Sequence, residues 1–387
     1  MTPELDASVE GMIAAISRTR APIRGTIINA LHAVPRHLYV PPVGVATTDA
    51  GPELIDRGSD PEAWWAAVYG TAPIVTQLDK GATDIRDVEG LYTSSNSAPG
   101  TVVDLLTQLD PDPGHRVLEV GTGTGWTAAL LSHLVGDASR VTSIEVDQAV
   151  AEQAAKNLAA VGVHPHLIVA DGAQGWAERA PYDRVHVTCA VHTVPYAWIA
   201  QCRPGAVVVT PFSTGFDTDH SLRLVVMPDG SAIGRFLGYA SYMMMRSQTA
   251  TRGNPDDGSG RRFTTRVDPR TITYAPAGAC LVMSAQTGLR MRLDDEKRLF
   301  LVDPGHPGQW GTAIYEPDGE PWVYELGDRH LWEEVTEAYF RWVSWGEPGL
   351  ERFGMTVTPE GQQLWLDTPE SPIGPRRRLI AVHTGPG

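Results

Sequence analysis

The chain has 387 residues, 42% of them apolar and 20% charged, with a formal net charge of −15. That length predicts two or three domains, and the composition is that of an ordinary globular protein. The negative field opposes binding to nucleic-acid phosphates, and no apolar run approaches the length that spans a bilayer, so neither nucleic acid nor membrane is an expected partner.

The first twenty residues carry early acids and no apolar core, unlike a signal peptide. The cysteines, Cys189, Cys202 and Cys280, are scattered and fit neither a disulfide framework nor a zinc spacing. The expected setting is a reducing cytoplasm, and no metal site is expected.

Three parts follow in chain order: 1–90, 91–246 and 263–387, with 247–262 as a linker. In the first, helical spacing over Ala7–Ile16 and Pro22–Val34 predicts two helices. The prolines of Val34–Pro42 then force an extended turn. The stretch from Gly44 to Trp65, rich in Gly, Asp and Pro, reads as a loop or insertion.

The second part alternates strands and helices. Strands are predicted at Arg116–Gly121, Arg140–Asp147, His166–Gly172, Tyr182–Ala190 and Ala206–Phe212, with helices over Thr124–Val135 and Ala149–Gly162. Such alternation implies a doubly wound parallel sheet covered on both faces, an α/β fold. Leu222–Phe236 reads as a hairpin around Pro228-Asp229-Gly230. The polar, glycine-rich stretch Ser247–Arg262 reads as the linker.

The third part reads as an α+β extension that recognises substrate. Leu331–Gly346 carries Trp332, Val335, Tyr339 and Trp342 on one helical stripe, and Phe353–Asp367 resembles a hairpin. Six of the eleven tryptophans lie here: Trp310, Trp322, Trp332, Trp342, Trp345 and Trp365. Core packing is their simpler role, and a peptide-gripping surface the alternative. The run Arg376-Arg377-Arg378 reads as a solvated tail.

The strongest chemical signal is Leu118-Glu119-Val120-Gly121-Thr122-Gly123-Thr124-Gly125, between a predicted strand and a predicted helix. Glycines there permit a tight turn and close approach of a ligand to the backbone. The spacing G-x-G-x-G lacks the last glycine of a dinucleotide fingerprint. Glu119 suits a cationic ligand without phosphates, such as S-adenosyl-L-methionine. Glu145, at the second strand end, can bind ribose hydroxyls. Asp171-Gly172, at the third, can meet an adenine edge. The expected cofactor residues are therefore Glu119, Gly121, Thr122, Gly123, Gly125, Glu145, Asp171 and Gly172.

Val34–Pro42, Ser94–Pro99, Val117–Trp126 and Asp171–Ala190, in that order and spacing, resemble the protein-L-isoaspartate O-methyltransferases over roughly residues 22–245. The resemblance implies a class I S-adenosylmethionine-dependent fold and methylation of an isoaspartyl carboxylate, with S-adenosyl-L-homocysteine as by-product. The family's T-I-S-x-P motif aligns with Ser95-Asn96-Ser97-Ala98-Pro99, which implies a catalytic role for Ser97. Ser95, Asn96 and Ala98, with Thr188, Cys189 and Ala190 at the strand end, are then expected at the substrate, and His192 is a candidate beside them.

Departures from the repair enzymes are Gly100, the loop Asp79–Tyr92 and the C-terminal part. Leu331–Gly349 and Phe353–Pro372 resemble the methyltransferases of ATP-grasp peptide maturase systems, which make graspetides. That likeness implies esterification of an Asp side chain in a crosslinked precursor peptide, with an ATP-grasp ligase as pathway partner. The ester would then collapse to an aspartimide. Repair of isoaspartyl residues in damaged proteins is the alternative.

Overall fold

The computed structural model describes residues 3–249, 255–294, 298–317 and 319–377. Two compact units divide the chain. The first comprises Met1–Cys189, Ala197–Thr210 and Val225–Gly230; the second comprises Ala190–Tyr196, Pro211–Leu224 and Ser231–Gly387.

The first unit opens with helices α1 (Pro3–Ser17) and α2 (Gly25–Ala33). The stretch expected as a loop is structured instead: β1 (Val43–Thr48) and β2 (Gly51–Asp56) form a hairpin, followed by α3 (Pro61–Val68). The two-residue turn at Asp49-Ala50 is allowed by Gly51, at φ +115°. Turn-forming residues at both ends of a short alternating strand hide its period in composition. Strands β3 (Ile74–Leu78) and β4 (Tyr92–Asn96) complete a four-stranded antiparallel sheet in the order β2-β1-β3-β4. Val45, Val75 and Leu78 form its core, with Ile85, Val88 and Tyr92 packed against them.

Next come α4 (Pro99–Leu109), β5 (Val117–Val120), α5 (Trp126–Val135), β6 (Val141–Glu145), α6 (Gln148–Ala160), β7 (His166–Val169), β8 (Tyr182–Val187), α7 (Tyr196–Ala200) and β9 (Cys202–Phe212). The strands run parallel in the order β7-β6-β5-β8-β9. β5 and β6 are buried along their whole length, as strands covered on both faces must be. The chain leaves β5 toward β6 and β7, then returns to β8 on β5's other side. Carboxyl ends at such a reversal form a crevice where open α/β sheets hold ligands.

The second unit contains β10 (His220–Val226), β11 (Ala232–Tyr239), β12 (Arg261–Thr264), α8 (Pro269–Thr273), α9 (Ala277–Thr287), β13 (Arg290–Leu293), β14 (Leu299–Val302), β15 (Trp310–Ile314), β16 (Trp322–Leu326), α10 (Leu331–Ser344), β17 (Phe353–Thr358) and β18 (Gly361–Leu366). Strands β12 to β16 form an antiparallel sheet in the order β12-β16-β15-β14-β13. Helix α10 lays Leu331, Trp332, Val335 and Ala338 into a core shared with Met283, Leu299, Leu301 and Val323. The expected stripe is thus the buried face, with Tyr339 partly buried beside it.

Strand β11 pairs antiparallel with β17, and β17 with β18. Trp365 lies across from Gly354, where a Cβ would collide with its indole, and the Arg235 guanidinium stacks 4.8 Å from the ring centroid. A glycine thus makes room for an aromatic ring flat on the sheet. Trp332, Trp342 and Trp365 are 2–3% exposed, so half of the six C-terminal tryptophans are core.

This division differs from the tripartite expectation. The first 90 residues share a unit with the glycine motif, and the second unit begins at Ala190. Strand β11 pairs with β17, a segment more than 100 residues further on, so the hairpin is shared: Val225–Gly230 belong to the first unit and Ser231 onward to the second. Of the expected linker, 250–254 lie outside the described residues, and Arg261–Thr264 is strand β12.

Candidate active site

The glycine turn sits between β5 and α5. Gly121, Gly123 and Gly125 have φ of +95°, +54° and +87°, a region that side chains rarely enter. At Gly121 a Cβ would also strike the Thr188 hydroxyl. That hydroxyl donates to the carbonyls of Gly121 (2.5 Å) and Val120 (3.1 Å), tying the end of β8 to the turn. Thr122 is buried and its hydroxyl meets Ser143 at 2.6 Å. Against Gly125 packs Leu158 of α6, 3.1 Å from where a Cβ would stand.

The Glu145 carboxylate accepts from the Gly123 N–H (3.0 Å), and from Val146 (3.0 Å) and Asp147 (3.1 Å). Asp171 accepts from Ala173 N–H, and Gly172 packs on Val120. Burial, with the Glu145 and Asp171 carboxylates near it, raises the Cys189 thiol's pKa and keeps it protonated. Glu145, Asp171, Thr188 and Cys189 therefore gather at the carboxyl ends of β6, β7 and β8, beside the turn.

Glu119 departs from expectation. Its side chain is 0% exposed, and Ser143 donates to Oε2 at 2.5 Å. With no accessible surface it does not line the crevice; it lies beneath the turn, between Ser143 on β6 and His186 on β8. β5 is buried on both faces, so Glu119 has no solvent side, and the open turn begins only after Val120. Burial, opposed by the Ser143 hydrogen bond and reinforced by Glu145, pushes its carboxyl up to about 8. Burial also brings His186 down to about 4, so the pair is neutral near pH 7.

The Ser95–Ala98 segment is held by a residue the sequence reading left without a role. Arg36, fully buried, donates to Asn96 Oδ1 (2.6 Å) and to the carbonyls of Val68 (2.8 Å), Ala72 (3.1 Å), Asn96 (3.2 Å) and Ser97 (3.0 Å). Asn96 Nδ2 in turn donates to the Thr124 hydroxyl at 2.9 Å, inside the glycine turn. The Ser95 carbonyl lies 3.2 Å from where a Cβ on Gly123 would be. Ser97 is partly exposed, and its hydroxyl makes no hydrogen bond among the described residues. Desolvation brings the Arg36 pKa down to about 9, so it remains charged at neutral pH. The signal was an arginine within the apolar run Val34–Val40.

Gly100 also has a local explanation. It is buried at the start of α4, with the Arg20 guanidinium 2.5 Å from where a Cβ would stand, and Arg20 pairs with Asp104 at 2.6 Å. The missing side chain makes room for Arg20. Ala190 and His192 belong to the second unit. There His192 Nδ1 lies 2.9 Å from the Ser213 carbonyl, and burial brings its pKa down to about 4. Among the described residues no cluster of potential ligands could hold a metal, and no helix is long and apolar enough to cross a membrane.

Two outcomes follow. Lysine cannot reach five acceptors, so Arg36→Lys should cost about 2–4 kcal/mol in urea unfolding. A loss under about 1 kcal/mol would remove Arg36 from its organising role. Glu119 binds its proton more tightly folded than unfolded. Its contribution to stability is full below about 4.5, the ordinary value, and declines until the pH passes about 8. Glu119→Gln should therefore flatten the fall in stability across that window. A curve parallel to wild type would assign the pH dependence elsewhere.

Comparison with known proteins agrees with this geometry. The family model described as Protein-L-isoaspartate(D-aspartate) O-methyltransferase (PCMT) matches residues 74–248. Protein-L-isoaspartate O-methyltransferase 2 of Archaeoglobus fulgidus is 33% identical over 186 residues, 48% of this chain and 69% of that protein. The protein-L-isoaspartate O-methyltransferase of Aeropyrum pernix is 31% identical over 205 residues, 52% and 66% of the two chains. That of Methanococcus maripaludis is 38% identical over 128 residues, 33% and 60%. The chain thus spans 60% to 69% of the length of these relatives.

A solved structure titled protein-L-isoaspartate O-methyltransferase aligns over 93% of this chain and 100% of its own, with a TM-score of 0.54 at 18% identity. That is a likeness of fold, the class I S-adenosylmethionine-dependent methyltransferase fold. It extends over nearly the whole chain, so the C-terminal part does not by itself separate this protein from chains of that title. By its matched segment and its relatives, this chain belongs to the protein-L-isoaspartate O-methyltransferase family.

Proposed function

We propose that the protein is an S-adenosyl-L-methionine-dependent carboxyl O-methyltransferase acting on isoaspartyl residues of peptides and proteins. One observation carries the reading: Asn96 bonds to Thr124, seating Ser95–Ala98 on the glycine turn, with the Ser97 hydroxyl unengaged among the described residues. A nucleophile-orienting donor then stands beside a crevice built for a cofactor.

The residues present fit that cofactor. Gly121 and Gly123 leave backbone accessible, Glu145 and Asp171 supply acceptors for hydroxyl and amino groups, and Val146, 44% exposed, offers apolar surface beside Glu145. When bound, S-adenosylmethionine supplies an electrophilic methyl group on a sulfonium. A carboxylate, ordinarily ionised above about pH 4, needs no general base. One of its oxygens forms a bond to the methyl carbon as the carbon–sulfur bond breaks, with the electron pair going to sulfur. The products are a methyl ester and S-adenosyl-L-homocysteine. The chain's work is alignment, which supplies up to ~7–11 kcal/mol in favourable cases. Ser97 donates to a carboxylate oxygen and fixes its direction of approach. Thr188 and Cys189 line the far side of the turn.

A second reading, methylation of an ordinary Asp in an ATP-grasp-crosslinked ribosomal peptide followed by closure to an aspartimide, is supported by the sequence likeness of Leu331–Gly349 and Phe353–Pro372. Its partners would be the precursor peptide and the ligase, in the cytoplasm. The relatives favour the isoaspartyl substrate. Mass spectrometry of a linear isoaspartyl peptide against a matched crosslinked Asp peptide decides between them. Faster methylation of the crosslinked peptide, with later loss of methanol, would overturn the repair reading.

Two substitutions test the roles. Glu145→Gln retains an acceptor for the Gly123 N–H but loses the charge. It should weaken S-adenosylmethionine binding ~10–100-fold in calorimetric titration, since hydrogen bonds to charged groups contribute ~1.5–3 kcal/mol. Unchanged affinity would remove Glu145 from the site. Ser97→Ala should slow single-turnover methyl transfer at least ~10-fold with cofactor affinity intact, about one hydrogen bond to a charged group. A full-rate variant would mean that other groups hold the carboxylate.

A further inference from the structure

The second unit contains a cavity of about 590 Å³ whose mixed lining sets two arginines, Arg290 and Arg377, among apolar side chains such as Phe212, Leu289 and Leu364. Its size is that of a site for a small molecule or a few side chains. Among the described residues, neither guanidinium has a carboxylate partner. Arg290 makes one long contact, 3.5 Å, to the Gln248 carbonyl, and Arg377 donates to the Ser284 and Ala285 carbonyls. Both are half-buried; desolvation brings the Arg290 pKa down to about 10, with Arg377 adding to the fall, and desolvation also lowers that of Arg377. Arg329 adds to the repulsion at Arg377, and Asp303 opposes it only in part, being engaged by Arg329 at 2.7 Å. In a chain of net charge −15, two half-buried cations with no carboxylate paired to them among the described residues suit an external counter-charge.

The wall around them is built, not incidental. Arg290's stem passes over Gly215 (φ +81°), where a Cβ would stand 2.9 Å from Arg290 Cγ. Arg377 is set by paired backbone hydrogen bonds with Gln362, both 3.0 Å. The 192–194 segment is clamped by two amides. Gln248 bonds His192 N–H (2.8 Å), Thr193 N–H (3.0 Å) and the Thr193 carbonyl (2.7 Å). Gln362 bonds Val194 N–H (2.9 Å) and the His192 carbonyl (2.8 Å). Because His192 Nδ1 faces the Ser213 carbonyl, it carries the proton, and among the described residues the neutral Nε2 is left as an acceptor without a partner. The lining thus offers two cations and one acceptor.

We propose that this cavity is a binding site for carboxylate ligands, with Arg290 and Arg377 as the carboxylate donors and His192 Nε2 accepting a neighbouring N–H or O–H. The carboxylate comes from one of two sources: the acidic side chains of a peptide, or a free small dicarboxylate. The proposal stands apart from the methyl-transfer reading, because its readout is binding alone.

Calorimetric titration of the full chain with N-acetyl-Asp-Glu amide, with glutarate, with inorganic phosphate and with the uncharged N-acetyl-Asn-Gln amide tests it. Tighter binding of the acidic peptide assigns the peptide source, and tighter binding of glutarate the free one; either supports the site. Arg290→Gln with Arg377→Gln should weaken the better probe at least tenfold and leave S-adenosylmethionine affinity unchanged. Should that double variant not fold, the wild-type protein still decides: carboxylate binding must weaken several-fold between low and high salt while the uncharged peptide stays weak. Phosphate binding more tightly than both carboxylates, equal binding of the uncharged peptide, or undiminished binding in a folded double variant overturns the proposal.

Discussion

One buried cation organises the first unit. Arg36 is 1% exposed, and its charge is tolerated only because five oxygens surround it. Those oxygens come from the end of α3, the Ala72 turn before β3, the Asn96 side chain and the Asn96-Ser97 backbone. A planar guanidinium with a fixed fork of donors is the side chain that can join them in one plane. Through Asn96 the constraint passes to Thr124, and so into the glycine turn. Trp126, the next residue after that turn, returns it by donating to the Val34 carbonyl at 3.1 Å, two residues before Arg36. The ring also lies 5.5 Å from the guanidinium. The loop of interactions closes on itself, which places Ser97 relative to Gly123 without relying on either segment's own stiffness.

The acids around the turn divide by depth. Glu145 accepts from three backbone N–H groups, which hold its side chain at the edge of the crevice. Glu119, one strand away, has no such donors beyond Ser143 and keeps its proton. The same side-chain type thus plays two parts: Glu145 fixes the backbone of the turn, and Glu119 lies closed off beneath it.

In the second unit, small residues rather than charges set the arrangement. Gly354 lets Trp365 lie flat, and Gly215 lets the Arg290 stem pass. The tryptophans that most suggested a peptide-gripping surface are half core, because α10 needs large rings to fill the space over α9 and the β13–β16 sheet. Polarity gathers instead around Arg290 and Arg377. The latter comes from a basic run that the sequence presents as a solvated tail: Arg376 is exposed as expected, Arg377 is half-buried, and Arg378 lies outside the described residues.

The parallel sheet, its strand positions and the glycine turn were legible in the sequence, because buried parallel strands are continuous apolar runs and positive φ calls for glycine. Gly121, Gly123 and Gly125 were legible for that reason, since all three carry positive φ. What the sequence alone did not determine depends on contacts between distant segments. The β1–β2 hairpin was hidden by its turn-rich composition. The depth of Glu119 follows from which neighbours β5 acquires. The pairing of β11 with β17 joins segments more than 100 residues apart. Arg36 is an unremarked arginine in the chain and becomes the organising group only once α3, the Ala72 turn and the Asn96-Ser97 backbone bring their carbonyls to it. A local pattern reports the burial period of an element; only the tertiary structure decides which groups meet inside it.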